Sequence, residues 1–220
     1  MSTKPTALQG KAILFDIDGT LVDSTPAVER SWRTWAQEFD VDLDELMRVC
    51  HGRRTEDTVE DFVAPQQRSV AVARLQALEL ADLDGVTALP GAQQVLEALP
   101  HGRWAAVTSG ERALMTARLT AARLRVPDIM ICAEDVVTGK PSPEGYLKAA
   151  AALGFDAGTC VVVEDSPAGI AAGRAAGAQV LAVTTTHDGR QVSDADAIVA
   201  DLSCLRVTST DDGVELSARA

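Results

Sequence analysis

The segment from Phe15 to Thr20, Phe-Asp-Ile-Asp-Gly-Thr, most constrains how this chain folds, because it joins a predicted strand to two closely spaced acids. Residues 11–15 form a mainly apolar run, which is typical of a buried parallel strand. Asp16 and Asp18 then emerge at its carboxyl end, where open α/β sheets bind their ligands. Two bare carboxylates at this spacing repel each other, so the segment indicates a divalent cation that neutralises one acid while the other handles a proton.

Two alternatives apply to this segment taken alone. A calcium loop needs oxygen ligands at alternate positions and Gly at the sixth, whereas here Gly19 directly follows the second acid, so the spacing does not fit. A solvated acidic turn after a strand requires no ligand at all. Motifs elsewhere in the chain decide between these alternatives and a catalytic site.

The rest of the chain predicts an α/β domain interrupted by a helical insert. Residues 23–88 carry helical periodicity without a convincing strand, and Ser24 or Thr25 is expected to cap the first helix. Beyond residue 90 helices alternate with apolar strands, so residues 1–22 and 89–220 are predicted to form a doubly wound, three-layer core. The insert at 23–88 is expected to act as a lid over the strand ends. Residues 208–220 are polar enough that we expect them to fray.

Composition excludes several classes of partner. A net charge of −12 argues against nucleic acid, because binding a phosphate backbone requires clustered cations. No apolar stretch reaches the length of a membrane span, and the polar residues 1–10 lack the apolar core of a signal peptide. The four cysteines are far apart, with no metal-type spacing. We therefore expect a cytoplasmic protein that binds neither nucleic acid nor membrane, while nothing in the sequence indicates an oligomeric state.

A second polar site follows the predicted strand at residues 104–108. Thr108 ends that strand and Ser109-Gly110 follows it, so hydroxyl groups and backbone amides are expected beside Asp16. Such groups grip phosphate oxygens, and the helix that starts near Glu111 adds its positive dipole end. Ordinary helix capping is the alternative. The position at the same sheet edge leads us to predict phosphate binding by Thr108 and Ser109.

Two further motifs carry charge to the predicted sheet edge. Lys140, one of only four lysines, lies in the rigid turn at residues 138–143, which would hold its ammonium group in place; an ordinary surface lysine is the alternative. Glu164 and Asp165 follow the apolar run at residues 160–163. Burying them beside Asp16 and Asp18 would be costly without a counter-cation, and Mg²⁺ resolves that conflict.

These four motifs, in this order, resemble those of the haloacid dehalogenase-like (HAD) hydrolases. The resemblance implies a three-layer, Rossmann-like core with a parallel sheet and an inserted all-helical cap. It also implies that Thr108 binds the transferring phosphoryl group, that Lys140 neutralises phosphate and nucleophile, and that Asp165 ligates Mg²⁺ while Glu164 acts through water or the neighbouring ligands. Residues 51–55, 106–110 and 163–173 are moreover similar to the yeast-type glycerol-3-phosphatases and 2-deoxyglucose-6-phosphatases, which implies small phosphorylated sugars or polyols as substrates.

The mechanism that follows is a hypothesis with three chemical roles. Asp16 attacks phosphorus and forms an aspartyl-phosphate. Asp18 protonates the leaving alcohol and then deprotonates the water that hydrolyses the intermediate. Mg²⁺ is held by Asp16, by the main-chain carbonyl of Asp18 and by Asp165, and it stabilises charge together with Lys140 and Thr108.

Individual residues argue for or against other activities within and outside the family. Asp18 disfavours a dehalogenase, and residues 23–88 contain no lysine for the Schiff base of a phosphonatase. A hexose-phosphate mutase of the β-phosphoglucomutase type keeps the same four motifs and stays the alternative enzyme. A non-catalytic module that binds a phosphometabolite is the alternative from another class, against which the intact acids and Lys140 argue.

Substrate specificity is predicted to come from the insert. His51, Arg53 and Arg54 form a basic cluster ahead of a predicted helix in an otherwise acidic chain. They are expected to face the hydroxyls or phosphate of the substrate when the lid closes. The alternative is a set of surface charges at the start of that helix, paired with Glu56 or Asp57.

Overall fold

The structure, a computed structural model, describes residues 7–50, 52–210 and 212–219. Within these residues the strands are β1 (Ala7–Gly10), β2 (Ile13–Phe15), β3 (Val22–Asp23), β4 (Thr87–Ala88), β5 (Trp104–Val107), β6 (Met130–Ile131), β7 (Val161–Glu164), β8 (Gln179–Val183), β9 (Ala197–Val199), β10 (Leu205–Thr210) and β11 (Gly213–Ala218). The helices are α1 (Thr25–Phe39), α2 (Leu43–Met47), α3 (Thr55–Phe62), α4 (Arg68–Ala81), α5 (Ala92–Ala98), α6 (Arg112–Ala121), α7 (Glu144–Ala152) and α8 (Pro167–Ala175).

A six-stranded parallel sheet in the order β6-β5-β2-β7-β8-β9 lies at the centre of the molecule, which confirms the predicted fold class. The chain passes from β2 outward through β5 and β6, and then returns to the other side of β2 for β7, β8 and β9. A crevice opens where the strand order reverses, beyond the carboxyl ends of the strands that flank that point. Asp16, Thr108 and Glu164 stand at or directly after the ends of β2, β5 and β7.

Alternate side chains of the central strand enter two separate apolar layers. Ile13 and Phe15 pack with residues of α5 and α6, whereas Leu14 between them packs with residues of α7 and α8. All three side chains are fully buried. Because β2 is covered on both faces, nearly every position in it is apolar, and the first strongly polar residue appears only where the strand ends.

Helices α1–α4, here called the helical module, have an apolar core of their own. Its centre includes Trp35, Leu46, Val59 and Leu75, each fully buried. The strands β3 and β4 pair in an antiparallel ribbon where the chain enters and leaves this module. The division of the chain into a core and a cap at residues 23–88 stays a prediction.

The expectation that residues 208–220 fray is wrong for the described part of that segment. Strands β10 and β11 form a hairpin, and β11 pairs with β1 in a second, antiparallel sheet of order β1-β11-β10. Val214 and Leu216 alternate with more polar residues and enter the apolar layer that holds α5 and α6. A sheet with one solvated face needs only this alternation, which overall polarity conceals.

None of the helices in the described part of the chain has both the length and the apolarity needed to cross a membrane. The four cysteines are free thiols, and Cys50, Cys132 and Cys160 are buried.

Candidate active site

The carboxylate of Asp16 lies in an ion-pair cluster at the end of β2. The Lys140 ammonium donates to Asp16 Oδ1 at 2.5 Å and to Glu164 Oε1 at 2.6 Å. Its third contact is the carbonyl of Val107, at 3.2 Å. Burial opposes the charged form of Lys140, but Asp16 and Glu164 outweigh it and raise the pKa of this lysine well above its usual range. The turn at residues 138–143 thus delivers a buried cation to the nucleophile predicted by the sequence.

Glu164 organises the cluster. Its Oε1 accepts from Lys140 and from the Tyr146 hydroxyl, while Oε2 accepts from the backbone amides of Asp165 and Ser166 and from the Ser166 hydroxyl. Burial favours its neutral form, yet Lys140 and these donors hold the pKa of Glu164 below its ordinary value. Both oxygens are therefore already engaged, and Glu164 anchors Lys140 and the following turn.

Asp16, Glu164 and Asp165 fit a divalent cation. One carboxylate oxygen from each lies within 4.8 Å of the others. Three carboxylates against one lysine leave two uncompensated negative charges when all are ionised. Among the described residues, Asp16 Oδ2 is buried without a hydrogen-bond partner. Because Glu164 is engaged by donors, Asp16 and Asp165 are the side chains that this set offers to a hard cation such as Mg²⁺.

The pKa values of the two aspartates report the same shortage of positive charge. Burial raises the pKa of Asp16 to about 7 although Lys140 opposes the shift. Burial, with Glu164 and Asp16 nearby, raises the pKa of Asp165 well above its usual range. A cation bound between them would offset both effects.

Two glycines let the backbone approach these acids. Gly19 has a φ of +86°, and a Cβ there would overlap the Asp165 carboxylate and Thr186. The Thr186 hydroxyl donates to Asp165 Oδ2, so it fixes that carboxylate against Gly19. A Cβ on Gly169 would overlap the Glu164 carboxylate, which places the first turn of α8 directly against that side chain. Any other residue at position 19 would be strained as well as crowded.

The Asp18 carboxylate is held by partners different from those of Asp16. Ser24 Oγ donates to its Oδ1 at 2.7 Å, and Arg118 Nη1 donates to its Oδ2 at 2.7 Å. Ser24 occupies the N-cap position of α1, as predicted, but its hydroxyl bonds Asp18 and makes no cap bond. Asp18 and Asp16 thus have different hydrogen-bond partners, although the charge of Asp18 contributes to the raised pKa of Asp16.

Arg118 and Glu79 are missed by sequence reasoning. Arg118 lies on α6 and is 3% exposed; its Nη2 donates to Glu79 Oε1, on α4, at 3.0 Å. Burial raises the pKa of Glu79, and Arg118 opposes that shift. Neither residue lies in a recognisable motif. The one available signal is a charged residue at a position where helical spacing places an apolar side chain.

The phosphate-binding residues predicted after β5 lie at the same edge. Thr108 is buried, and its Oγ1 accepts from the amide of Gly110 at 3.0 Å. Ser109 Oγ donates to the carbonyl of Gly52 at 2.9 Å, which links this turn to the helical module. Both residues line the cavity that contains Asp16 and Asp18.

The predicted basic cluster of the insert is divided in the structure. Arg53 lines the cavity, and it pairs with Asp61 at 2.8 Å and with the carbonyl of Asp57 at 2.8 Å. Arg54 pairs with the Asp57 carboxylate at 2.7 Å and lies against Gly139 in the loop that carries Lys140. Arg54 is absent from the described lining of that cavity, and His51 lies outside the described residues.

The cavity of about 100 Å³ lies between the sheet edge and the helical module. On the module side its wall is mixed, with the aromatic ring of Trp32, the apolar Leu80 and the polar Gln76 and Glu79. Gln76 donates to Glu111 across the boundary between module and sheet. A small molecule with one phosphate and several hydroxyls suits such a wall, because the polar groups match hydroxyls and the ring covers carbon.

The sequence of this chain is similar to those of known proteins. Residues 11–177 match the family described as haloacid dehalogenase-like hydrolase. The chain is 39% identical over 208 residues to hexitol phosphatase A of Escherichia coli strain K12, covering 92% of this chain and 96% of that protein. It is 36% identical over 201 residues to glycerol-1-phosphate phosphohydrolase 1 of Saccharomyces cerevisiae, covering 86% and 80%.

A solved structure agrees with the fold. The β-phosphoglucomutase of Clostridium difficile superposes with a TM-score of 0.79 at 18% identity, over 89% of this chain and 93% of that one. At this identity the likeness concerns the fold alone. The family predicted from the four motifs, and its resemblance to yeast glycerol phosphatases, are confirmed.

Proposed function

Because the chain belongs to the haloacid dehalogenase-like hydrolase family, we propose that it is a Mg²⁺-dependent phosphatase of small phosphorylated polyols and sugars that acts through an aspartyl-phosphate. One observation carries the proposal. Asp16 has one oxygen bound to a buried lysine and another that is buried and unpartnered among the described residues, at the floor of a cavity also lined by Asp18.

Asp16 is the proposed nucleophile. Lys140 favours the ionised form of this carboxylate and orients it through the bond to Oδ1. Lys140 then neutralises charge on the phosphoryl group in transit. Thr108 and Ser109 lie at the neighbouring strand end, where their hydroxyls and amides are proposed to bind phosphate oxygens.

Asp18 is the proposed acid and base. Ser24 and Arg118 fix its carboxylate, so a substrate between Asp16 and Asp18 meets a nucleophile on one side and a proton donor on the other. The proton passes to the alcohol oxygen as the bond to phosphorus breaks. Asp18 then accepts a proton from the water that attacks the phosphorus of the aspartyl-phosphate, which releases phosphate and restores Asp16.

Asp16, Asp165 and the main-chain carbonyl of Asp18 are the groups proposed to hold Mg²⁺. When bound, the ion supplies positive charge that screens the carboxylate nucleophile from the phosphate anion. Thr186 and Gly19 keep the Asp165 carboxylate in position for this role.

The substrate class follows from the wall of the cavity and from the relatives. The names of two relatives specify a hexitol phosphate and glycerol 1-phosphate as substrates. Gln76 and Glu111, which also line the cavity, supply polar groups for the hydroxyls of such a substrate. We therefore propose phosphorylated hexitols and glycerol phosphates as the first compounds to test.

The test is release of inorganic phosphate from hexitol phosphates, glycerol phosphates and β-glucose 1-phosphate, with Mg²⁺ and with EDTA. We expect Mg²⁺-dependent release that falls by about 10⁴-fold or more in Asp16→Asn. Conversion of β-glucose 1-phosphate to glucose 6-phosphate in place of phosphate release would favour a mutase. Full activity of Asp16→Asn, or no release from any of these compounds, would refute the proposal.

A further inference from the structure

Both oxygens of Asp18 are held by residues at the boundary between the sheet and the helical module. Ser24, which bonds Oδ1, directly precedes α1 where the module begins. Arg118, which bonds Oδ2, is itself bonded to Glu79 near the end of α4, where the module finishes. A displacement of the module would therefore disturb the contacts on both sides of this carboxylate.

The Arg118 network is too deeply buried to be explained by stability. The side chains of Arg118 and Glu79 are 4% and 9% exposed, and Asp18 is 28% exposed. Moving such charges out of water costs about as much as their attraction returns, so an apolar pair of the same size is often at least as stable. One guanidinium that bonds two carboxylates from different elements instead gives each a defined orientation.

We propose that Arg118 is a positioning residue, which aims the Asp18 carboxylate at the leaving oxygen only while Glu79 of the helical module lies against it. The inference rests on the proposed phosphatase activity. In this arrangement proton transfer is competent when α4 is docked on α6, so that solvent is excluded before the bond to phosphorus breaks.

The test uses the leaving group as its readout. An alkyl phosphate such as glycerol 1-phosphate needs a proton on its leaving oxygen, whereas para-nitrophenyl phosphate releases a stable anion without one. The value of kcat/KM reports the steps up to the first irreversible departure. We expect Arg118→Gln to lower kcat/KM for glycerol 1-phosphate by about 10² and for para-nitrophenyl phosphate by less than about 5-fold.

Three further variants separate positioning from folding. Arg118→Lys keeps the charge and should recover part of the loss on glycerol 1-phosphate. Glu79→Gln keeps the shape and should show the same substrate-dependent loss, smaller in size; the double variant Arg118→Gln/Glu79→Gln should be no worse than Arg118→Gln. The control is Arg112→Gln, on the same helix, because Arg112 pairs with Asp135 outside the cavity lining. Arg112→Gln should leave kcat/KM for both substrates unchanged.

Each outcome decides the inference. Equal losses of kcat/KM on both substrates, with or without a fall in melting temperature, overturn it. A residue with a purely structural role would affect both esters alike, whatever their leaving group. A loss confined to KM also overturns it and makes Arg118 a substrate contact. If Arg118 variants fail to fold, Glu79→Gln decides by the same comparison. A wild-type protein inactive on both esters refutes the proposed function itself, whereas an active one with leaving-group-independent variants refutes only this inference.

Discussion

At the scale of single residues, Lys140 links the stability of the charged cluster to its proposed chemistry. It compensates two buried carboxylates, Glu164 and the proposed nucleophile Asp16. The side chains of Asp16 and Glu164 are 9% and 0% exposed, so bulk solvent compensates their charges poorly when the lysine is removed. Its loss should therefore affect folding and catalysis together.

Lys140→Met is expected to lower kcat by about 10²–10³. It should also lower the free energy of unfolding by about 3–5 kcal/mol, since two buried carboxylates lose their cation. Lys148→Met is the matched control, because Lys148 is 46% exposed and pairs with Glu144 at the surface. Steady-state kinetics and urea unfolding check both effects; a Lys140 variant that behaves like the control would contradict the assignment.

The pH dependence of stability follows from the raised pKa values of Asp16 and Asp165. An aspartate in the unfolded chain has a pKa of about 3.9, whereas burial in the folded protein raises the pKa of Asp16 to about 7. The folded protein therefore binds more protons between these values, and the stability from this group is present below the unfolded pKa and lost as pH rises through the folded one. In the absence of metal, the cluster should weaken the fold as pH rises towards neutral.

Asp165→Asn should therefore stabilise the metal-free protein more at pH 7.5 than at pH 5, because burial beside Glu164 and Asp16 raises the pKa of Asp165 and the uncharged amide avoids the cost of ionising it as pH rises. Mg²⁺ should raise the stability of the wild type at pH 7.5 and leave the variant much less affected. Urea unfolding in EDTA and in Mg²⁺ measures both. Asp128→Asn, at an 87% exposed position, is the control, and an identical response in the two variants would argue against the cluster.

At the scale of elements, the C-terminal hairpin joins the two ends of the chain. Strand β11 lies between β1 and β10, and Leu216 on it is 1% exposed. The hairpin therefore closes one apolar layer of the core. It should unfold with the domain and not fray independently.

Leu216→Ala is expected to cost about 2–5 kcal/mol of unfolding free energy, because it leaves a cavity in a packed layer. Thr208→Ala, at an exposed position on β10, should change stability by less than about 0.5 kcal/mol. Thermal or urea unfolding of the two variants provides the comparison. A Leu216 variant as stable as the Thr208 variant would mean that the hairpin is dispensable.

The periodicity of apolar residues predicts the helices and strands of the central layers, but it does not reveal the short strands or the polar, alternating ones. The strand predicted at residues 104–108 corresponds to β5, and the apolar run at residues 160–163 overlaps β7. Strands β10 and β11 were missed because partners far apart in sequence decide whether a polar, alternating segment pairs. The ribbon of β3 and β4, with two residues in each strand, has no periodicity to detect.

At the scale of the whole molecule, parallel topology explains why motifs spread over 150 residues meet. Each follows a strand of one sheet, so the carboxyl ends bring Asp16, Thr108 and Glu164 to one edge. The sequence therefore predicts the site residues that lie at the ends of the strands. It does not predict the Arg118–Glu79 contact, because that pair depends on how α4 docks on α6, which no local pattern encodes. Nor does it predict that Arg53 lines the cavity while Arg54 pairs with Asp57 and lies against Gly139.

Because the net charge of the chain is −12, an anionic substrate can bind only where the fold supplies local positive charge. An anionic substrate approaches a repelling surface, and the site must supply its own positive potential. Lys140 is buried there, and the amino ends of α6 and α8 begin a few residues after Thr108 and Asp165. Cation binding by Asp16 and Asp165 would complete this compensation.

The central claim is that Asp16 carries the phosphoryl group between the two half-reactions, and covalent trapping tests it most directly. Enzyme in excess is mixed with a hexitol or glycerol phosphate in Mg²⁺, quenched within milliseconds and reduced with borohydride, which converts an aspartyl-phosphate to homoserine. Peptide mass spectrometry then locates the reduced residue. The account predicts homoserine at position 16, dependent on substrate and on Mg²⁺; reduction at another carboxylate, or phosphate release with no reduced residue at any quench time, would contradict it.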